Sequence, residues 1–410
     1  MAALSRSKPC RETEISLRLL HSAHHCRKVR PFEGIGFPGI RVGREGIRHP
    51  AAVGSKRSLS MSYSAFDHPV LSGLVGDDEV AAFFSLDAEI RAMLAFEAAL
   101  AEAEARAGVI PEAAAERISE VCASFSPDIA ALKTATGRDG VVVPDLLRQL
   151  RAAVGPEAGE YVHFGATSQD VVDTSLMMRL SAVSTLLIDR LDHLFQRMDT
   201  LDSRFGERAL MGRTRMQPAM PITVSDRLRA WREPVLYLRQ FLLRLDGQLF
   251  AVQFGGAVGT LHRLPEHSVE VRAMLADILG LIDAPQWQNQ RNVIAEFASA
   301  MSQITGSLGK FGLDIALLAE MGDEIELSGG GESSDIEGKR NPVTAEVLVS
   351  LSRFNAAQLS AMHMALVHEQ ERSGAAWTLE WLTLPQMVAA AAASLKLSDW
   401  LCTKITRLGT

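Results

Sequence analysis

Between Gly329 and Pro342 the chain reads GGGESSDIEGKRNP, and few of these residues suit a protein core. Three glycines free the backbone to take dihedral angles closed to other residues. Ser333 and Ser334 bring hydroxyls, Lys339 and Arg340 cations and Asn341 an amide, and Pro342 ends the run. A mobile polar loop of this composition can deliver side chains to a shared site; it can equally be a solvated linker. It is not a nucleotide-binding Walker loop, because six residues separate Gly331 from Gly338 where four are needed, and Arg340 follows Lys339 in place of Ser or Thr.

Three further stretches carry chemistry of a matching kind. HFGATSQD runs from His163 to Asp170 and sets Thr167, Ser168 and Gln169 where a helix start leaves unpaired N–H groups, a position that suits an anion and also an ordinary N-cap. GRTRMQP places Arg213 and Arg215 on alternate residues beside Gln217, and QNQRN ends on Arg291 and Asn292. Taken singly, each has a structural explanation as a cap, a solvated charge pair or a linker. Taken together, the cations, amides and hydroxyls suit a small polycarboxylate: Arg and Lys pair with carboxylates, amides orient them, and a hydroxyl or imidazole moves a proton at carbon.

The elements that must hold these stretches are long helices. Leu176, Leu180, Val183, Leu187, Leu191, Leu194, Met198 and Leu201 recur in alternating four- and three-residue steps. Leu228 to Leu249 and Ile294 to Leu318 repeat the pattern, each a narrow apolar seam typical of helices packed side by side. Such helices, on the order of 45 to 60 Å long, exceed what a compact monomer needs and predict a homo-oligomer. A further helix is expected over Asp87–Ala107, within a small helical first domain punctuated by Pro111, Pro127 and Pro144; another runs from Pro342 to about His368. The organisation expected is a helical N-terminal domain over 61–155, a central long-helix bundle over 156–370 and a short helical C-terminal domain over 371–410. No strand is predicted.

Composition excludes several classes. Aromatic residues at 6%, with abundant Ala and Leu, favour helices over a β-sandwich. No apolar run reaches about 18 residues, so no membrane partner is expected. Four cysteines without CxxC spacing predict a disulfide-free cytoplasmic protein. Residues 1–60 carry twelve Lys and Arg against four Asp and Glu, and that +8 leaves −15 on the rest of a chain whose net charge is −7. An acidic body of this kind argues against a nucleic-acid partner. Residues 1–60 read as disordered or as an extension upstream of a natural start at Met61, with a transit peptide as the alternative. Their His-Cys cluster at His21–Cys26 is not read as a metal site, and the GxGxxG spacing at Gly34, Gly36 and Gly39 is accidental, with Pro38 inside it and no strand before it.

The order GATSQD, GRTxxQPAxPIT, SSxxxxKRNP resembles the fumarase/aspartase superfamily of lyases over about residues 62–410. FDHPVLSGLVGDDEVAAFFS, HFGATSQDVVDT, QRNVIAEFAS and HEQERSGAAWTLEWLTLP look most like its branch acting on 3-carboxy-cis,cis-muconate. The resemblance implies an all-α, three-domain subunit whose central bundle assembles a homotetramer, with active sites shared between subunits and no cofactor or metal. It implies that a carboxylate of 3-carboxy-cis,cis-muconate closes onto the diene to give 4-carboxymuconolactone, as in aromatic-acid catabolism by the β-ketoadipate route. By position, Ser333 matches the proton-transferring loop serine, with Lys339 as the cation that stabilises its alkoxide. Thr167, Ser168 and Gln169 match the substrate-carboxylate segment, Asn341 the loop amide and Arg291 a carboxylate ligand. Arg213, Arg215 and Gln217 join the binding set, and His163 is either catalytic or structural. The family loop reads SSxMPxKxNP, whereas Ile336 and Glu337 stand here in place of Met-Pro, and Arg215 stands where other branches carry histidine. The competing readings are another lyase of the superfamily, such as one splitting a succinyl adduct, and a non-catalytic helical oligomer.

Overall fold

The structure, a computed structural model, describes residues 62–410 apart from Ser333 and Gly338. The expectations for residues 1–60 and for Ser333 therefore lie outside the described residues. Two short helices, α1 (Ser72–Val75) and α2 (Asp78–Phe83), lead into α3 (Leu86–Arg106), which starts where the Ser85 hydroxyl accepts the Ala88 N–H. The buried face of α3 carries Ile90, Met93, Phe96, Leu100 and Ala103, and on the same face lie Glu97 and Glu104. Helices α4 (Glu112–Ser124), α5 (Ile129–Asp139), α6 (Val143–Val154) and α7 (Pro156–Gly159) complete a helical layer. Its core also takes in Val171 and Val172, Phe254, Leu264 and Leu275.

The main core is built on α8 (Ser168–Phe205), a hairpin of β1 (Ala209–Thr214) and β2 (Gln217–Thr223), α9 (Val224–Asp246), α10 (Ser268–Leu279) and α11 (Asn292–Met321). After these come β3 (Ile325–Leu327), β4 (Gly331–Glu332), β5 (Arg340–Asn341), α12 (Val343–Met364), α13 (Gly374–Lys404) and β6 (Ile405–Leu408). The apolar seams expected on α8, α9 and α11 are the residues buried in that core. Its second seam outruns its helix: α9 stops at Asp246 while Leu249 stays buried beyond it. Gly309 and Gly312 let α12 lie against α11, since a Cβ on Gly309 would come within 2.4 Å of the Ser352 Cβ and one on Gly312 within 2.7 Å of the Ala345 carbonyl.

Three features differ from expectation. First, the described residues contain three two-stranded antiparallel sheets, β1–β2, β3–β6 and β4–β5. Pro218 and Pro221 mask the first, because proline argues against a strand, yet a two-stranded ribbon leaves enough unpaired edge to accept both. The second pairs Ile325 with Leu408, a contact that no local pattern reveals. Second, α13 runs unbroken through Pro385, and Leu384, Met387, Val388 and Ala391 join the core of α8 and α11, where a separate short domain is expected. Third, a window of α8 is apolar enough by composition to cross a membrane, although 67% of it is buried inside the protein.

Candidate active site

The N-terminus of α8 is locked in place by one carboxylate. Asp170 accepts N–H bonds from Thr167 at 3.0 Å, Gly255 at 3.0 Å and Gly256 at 2.9 Å, and from the Gln253 side chain at 3.0 Å. Burial lifts its carboxyl to about 6 against these four donors. The cap thus ties HFGATSQD to the Gly255-Gly256 turn, where a Cβ on Gly256 would meet the Gly165 carbonyl at 2.8 Å. Gln169 is fully buried and donates to the Gln288 carbonyl at 2.7 Å and to Asp173 at 3.1 Å, joining the starts of α8 and α11.

Arg291 differs from the carboxylate ligand that the resemblance implies. Its guanidinium is buried and closed by its own chain: Asp173 takes Nη1 and Nη2 at 2.5 and 3.1 Å, and Glu380 takes Nε and Nη2 at 2.9 and 2.5 Å. The ring of Trp287 lies 4.9 Å from its carbon, and Trp377 Nε1 donates to Asp173 at 3.1 Å. Burial opposes the charge, but the two carboxylates outweigh it and hold Arg291 firmly protonated. It is a clamp between α8, α11 and α13.

A cation that the sequence reading left without a role occupies the open position. Arg372, in the turn before α13, donates through Nε to Gln169 Oε1 at 2.9 Å and through Nη2 to Thr167 Oγ1 at 3.2 Å and the Ala257 carbonyl at 3.3 Å. No carboxylate pairs with it among the described residues, and it lies exposed beside the electropositive start of a 38-residue helix. The signal available in sequence was the polar HEQERS break between two apolar helices, read only as part of a resemblance. His163, four residues before Thr167, takes φ of 64° and contacts Glu97 through Nδ1 at 2.7 Å.

The remaining site residues stand elsewhere. Arg215 and Met216 form the two-residue turn of the β1–β2 hairpin, with φ of 48° and 66°; Gln217 is exposed beside them. Arg213 pairs with Glu324 at 3.1 Å, and Glu324 also accepts the Met211 N–H at 2.6 Å. Lys339 is exposed on the glycine loop, while Asn341 lines a cleft of about 210 Å³ with Ser328, Gly330, Arg340, Trp400 and Lys404. His163, Thr167, Ser168, Gln169 and Arg372 therefore gather at the starts of α8 and α11. Arg213, Arg215, Gln217, Lys339 and Asn341 gather past the ends of the same helices. With 38 residues in α8 and 30 in α11, the two groups are separated by roughly 45 to 57 Å within one chain.

Long parallel seams, a capped polar segment at one end and a glycine loop at the other make up a mostly helical subunit with three small sheets. A family described as lyase matches residues 75–354, and the chain belongs to it, within the fumarase/aspartase superfamily. The chain is 39% identical over 323 residues to 3-carboxy-cis,cis-muconate cycloisomerase of Pseudomonas aeruginosa, covering 77% of this chain and 70% of that protein. It is 36% identical over 321 residues to the protein of that name from Pseudomonas putida, covering 76% of each. The crystal structure of the 3-carboxy-cis,cis-muconate lactonizing enzyme from Pseudomonas putida matches with a TM-score of 0.78 at 33% identity, covering 82% of this chain and 77% of that one.

Proposed function

We propose that the protein is a 3-carboxy-cis,cis-muconate cycloisomerase that forms 4-carboxymuconolactone in the cytoplasm. The observation that carries this reading is the 36 to 39% identity to relatives of that name over three quarters of the chain. Closure joins a substrate carboxylate oxygen to a diene carbon; the electron pair moves into the neighbouring carboxylate, and a proton is delivered to the carbon beside it. The start of α8 supplies what a static carboxylate needs: the Thr167 and Ser168 hydroxyls and, in place of Arg291, the Arg372 guanidinium, which buried Gln169 holds from behind. Ser333 transfers the proton and Lys339 stabilises its alkoxide, with Asn341, Arg213, Arg215 and Gln217 holding the other carboxylates.

These two groups cannot meet inside one subunit across roughly 45 to 57 Å of helix. We therefore propose a homotetramer in which the start of α8 in one copy faces the hairpin and glycine loop of others. Exposed Met216 and Met220 on the hairpin, at 71% and 66%, suit burial against such a neighbour.

Closing the ring destroys the conjugated diene, so the ultraviolet absorbance of 3-carboxy-cis,cis-muconate reports turnover directly. Absorbance should fall with the wild-type protein and persist with Ser333→Ala, which should slow turnover by at least about a thousandfold. A correctly assembled oligomer that leaves the absorbance untouched sinks this reading in favour of another lyase substrate or a silent scaffold.

A further inference from the structure

Beneath His163 lies a pair of carboxyl groups that the reaction as described leaves unused. Glu97 and Glu104 are two turns apart on the buried face of α3, each 1% exposed. The Glu97 Oε1 meets His163 Nδ1 at 2.7 Å; its other oxygen, and both oxygens of Glu104, have no hydrogen-bond partner among the described residues. Among the described residues no Lys or Arg is bonded to either. Two carboxylates so placed repel each other, and one must keep its proton. Burial, reinforced by Glu97 and only partly opposed by Arg263, pushes Glu104 up to about 9, so Glu104 is the member of the pair that keeps its proton. The charge on Glu97 also reaches Cys122, whose buried thiol is pushed up to about 12, by burial first and Glu97 second.

The segment carrying His163 is held tightly enough to make this contact specific. The Arg263 guanidinium stacks 4.2 Å from the Phe164 ring, and Arg151 donates to the Val162 carbonyl at 3.0 Å. Gly165 at φ of 73° has no room for a Cβ, which would lie 2.8 Å from Leu264 Cδ1. His163 itself takes a left-handed backbone conformation that a bulky residue adopts only when its surroundings impose it. Its ring is 10% exposed and its Nε2 makes no hydrogen bond among the described residues.

We infer that Glu97 is a positioning residue: through its 2.7 Å contact with Nδ1 it holds His163 in the tautomer with Nδ1 protonated, so that Nε2 is the atom offered to the substrate. A carboxylate accepts and does not donate, and the one side chain bonded to Glu97 among the described residues is His163, through Nδ1. Glu104, uncharged, leaves that bond uncontested while keeping the pocket at a single negative charge. This role rests on the cycloisomerase reading for its substrate but not for its geometry.

Selective 15N-histidine labelling of the full-length protein reads the tautomer without substrate, the His163 signal being identified by its loss in His163→Asn. At a pH where the ring is neutral, the wild type should show protonated Nδ1 and unprotonated Nε2. Glu97→Gln, whose amide can bond either tautomer, should lose that preference and lower kcat by about a hundredfold with KM little changed. A purely structural pair would lower thermal stability and leave kcat per assembled oligomer alone. A wild-type ring protonated on Nε2, or an assembled Glu97→Gln enzyme with unchanged kcat, overturns the inference. Should Glu97→Gln not fold, the wild-type spectrum decides alone. Failure of the muconate assay with the expected tautomer would count against the substrate and not against the pair.

Discussion

Glu104 keeps its proton in the fold up to about pH 9, whereas in the unfolded chain it loses it in the ordinary carboxylate range. Between those limits the folded state binds one more proton, so the stability from this group is complete below the ordinary range and drains away as pH rises towards 9. Thermal melts of wild type and Glu104→Gln between pH 5 and pH 9 should diverge, the variant gaining on the order of several kcal/mol relative to wild type at the alkaline end. Parallel curves would mean that Glu104 carries no proton in the fold. Arg372 is tested by kinetics: Arg372→Ala should lower kcat/KM by about ten- to a hundredfold, chiefly through KM, because it removes a charged donor from a carboxylate. An unchanged KM would mean that Arg372 binds no substrate carboxylate. Neither position was legible beforehand. A buried Glu on an Ala-rich helix reads as a solvated one until its neighbours are known, and Arg372 looks like any charge in a polar turn.

At the scale of elements, the starts of α8, α11 and α13 are pinned together by Arg291, Asp173 and Glu380. Arg291→Met leaves two buried carboxylates without a cation, which should cost about 3 to 5 kcal/mol in denaturant unfolding. Adding Asp173→Asn and Glu380→Gln should recover part of that loss, since the penalty comes from uncompensated charge; no recovery would point to packing instead. The helices themselves were plain in sequence because each seam repeats every three or four residues for six or seven steps. The hairpin was not: its turn is Arg215-Met216, with none of the glycine or asparagine that marks a left-handed turn, and its strands carry two prolines.

For the whole molecule the decisive quantity is the length of α8. It puts Thr167 and Lys339 roughly 45 to 57 Å apart in one chain, so a site using both must draw them from different copies. Thr167→Ala and Lys339→Ala should each be nearly inactive. Unfolded together and reassembled in equal amounts, they should recover up to about a quarter of wild-type turnover, because random mixing rebuilds that share of sites with both halves intact. No recovery in the mixed oligomer would place the site within one subunit.

The sequence by itself determined the helical class, the seams, the order of polar segments and through them the lyase family, because each is written in local spacing. Tertiary structure alone decided that Arg291 is spent on its own chain, that Arg372 stands in the open position, that Glu97 sits under His163 and that Pro385 does not end a helix. These depend on which groups meet across 66 residues for Glu97 and His163, and 203 for Gln169 and Arg372, and on which charges water no longer reaches. Distance along a chain records neither.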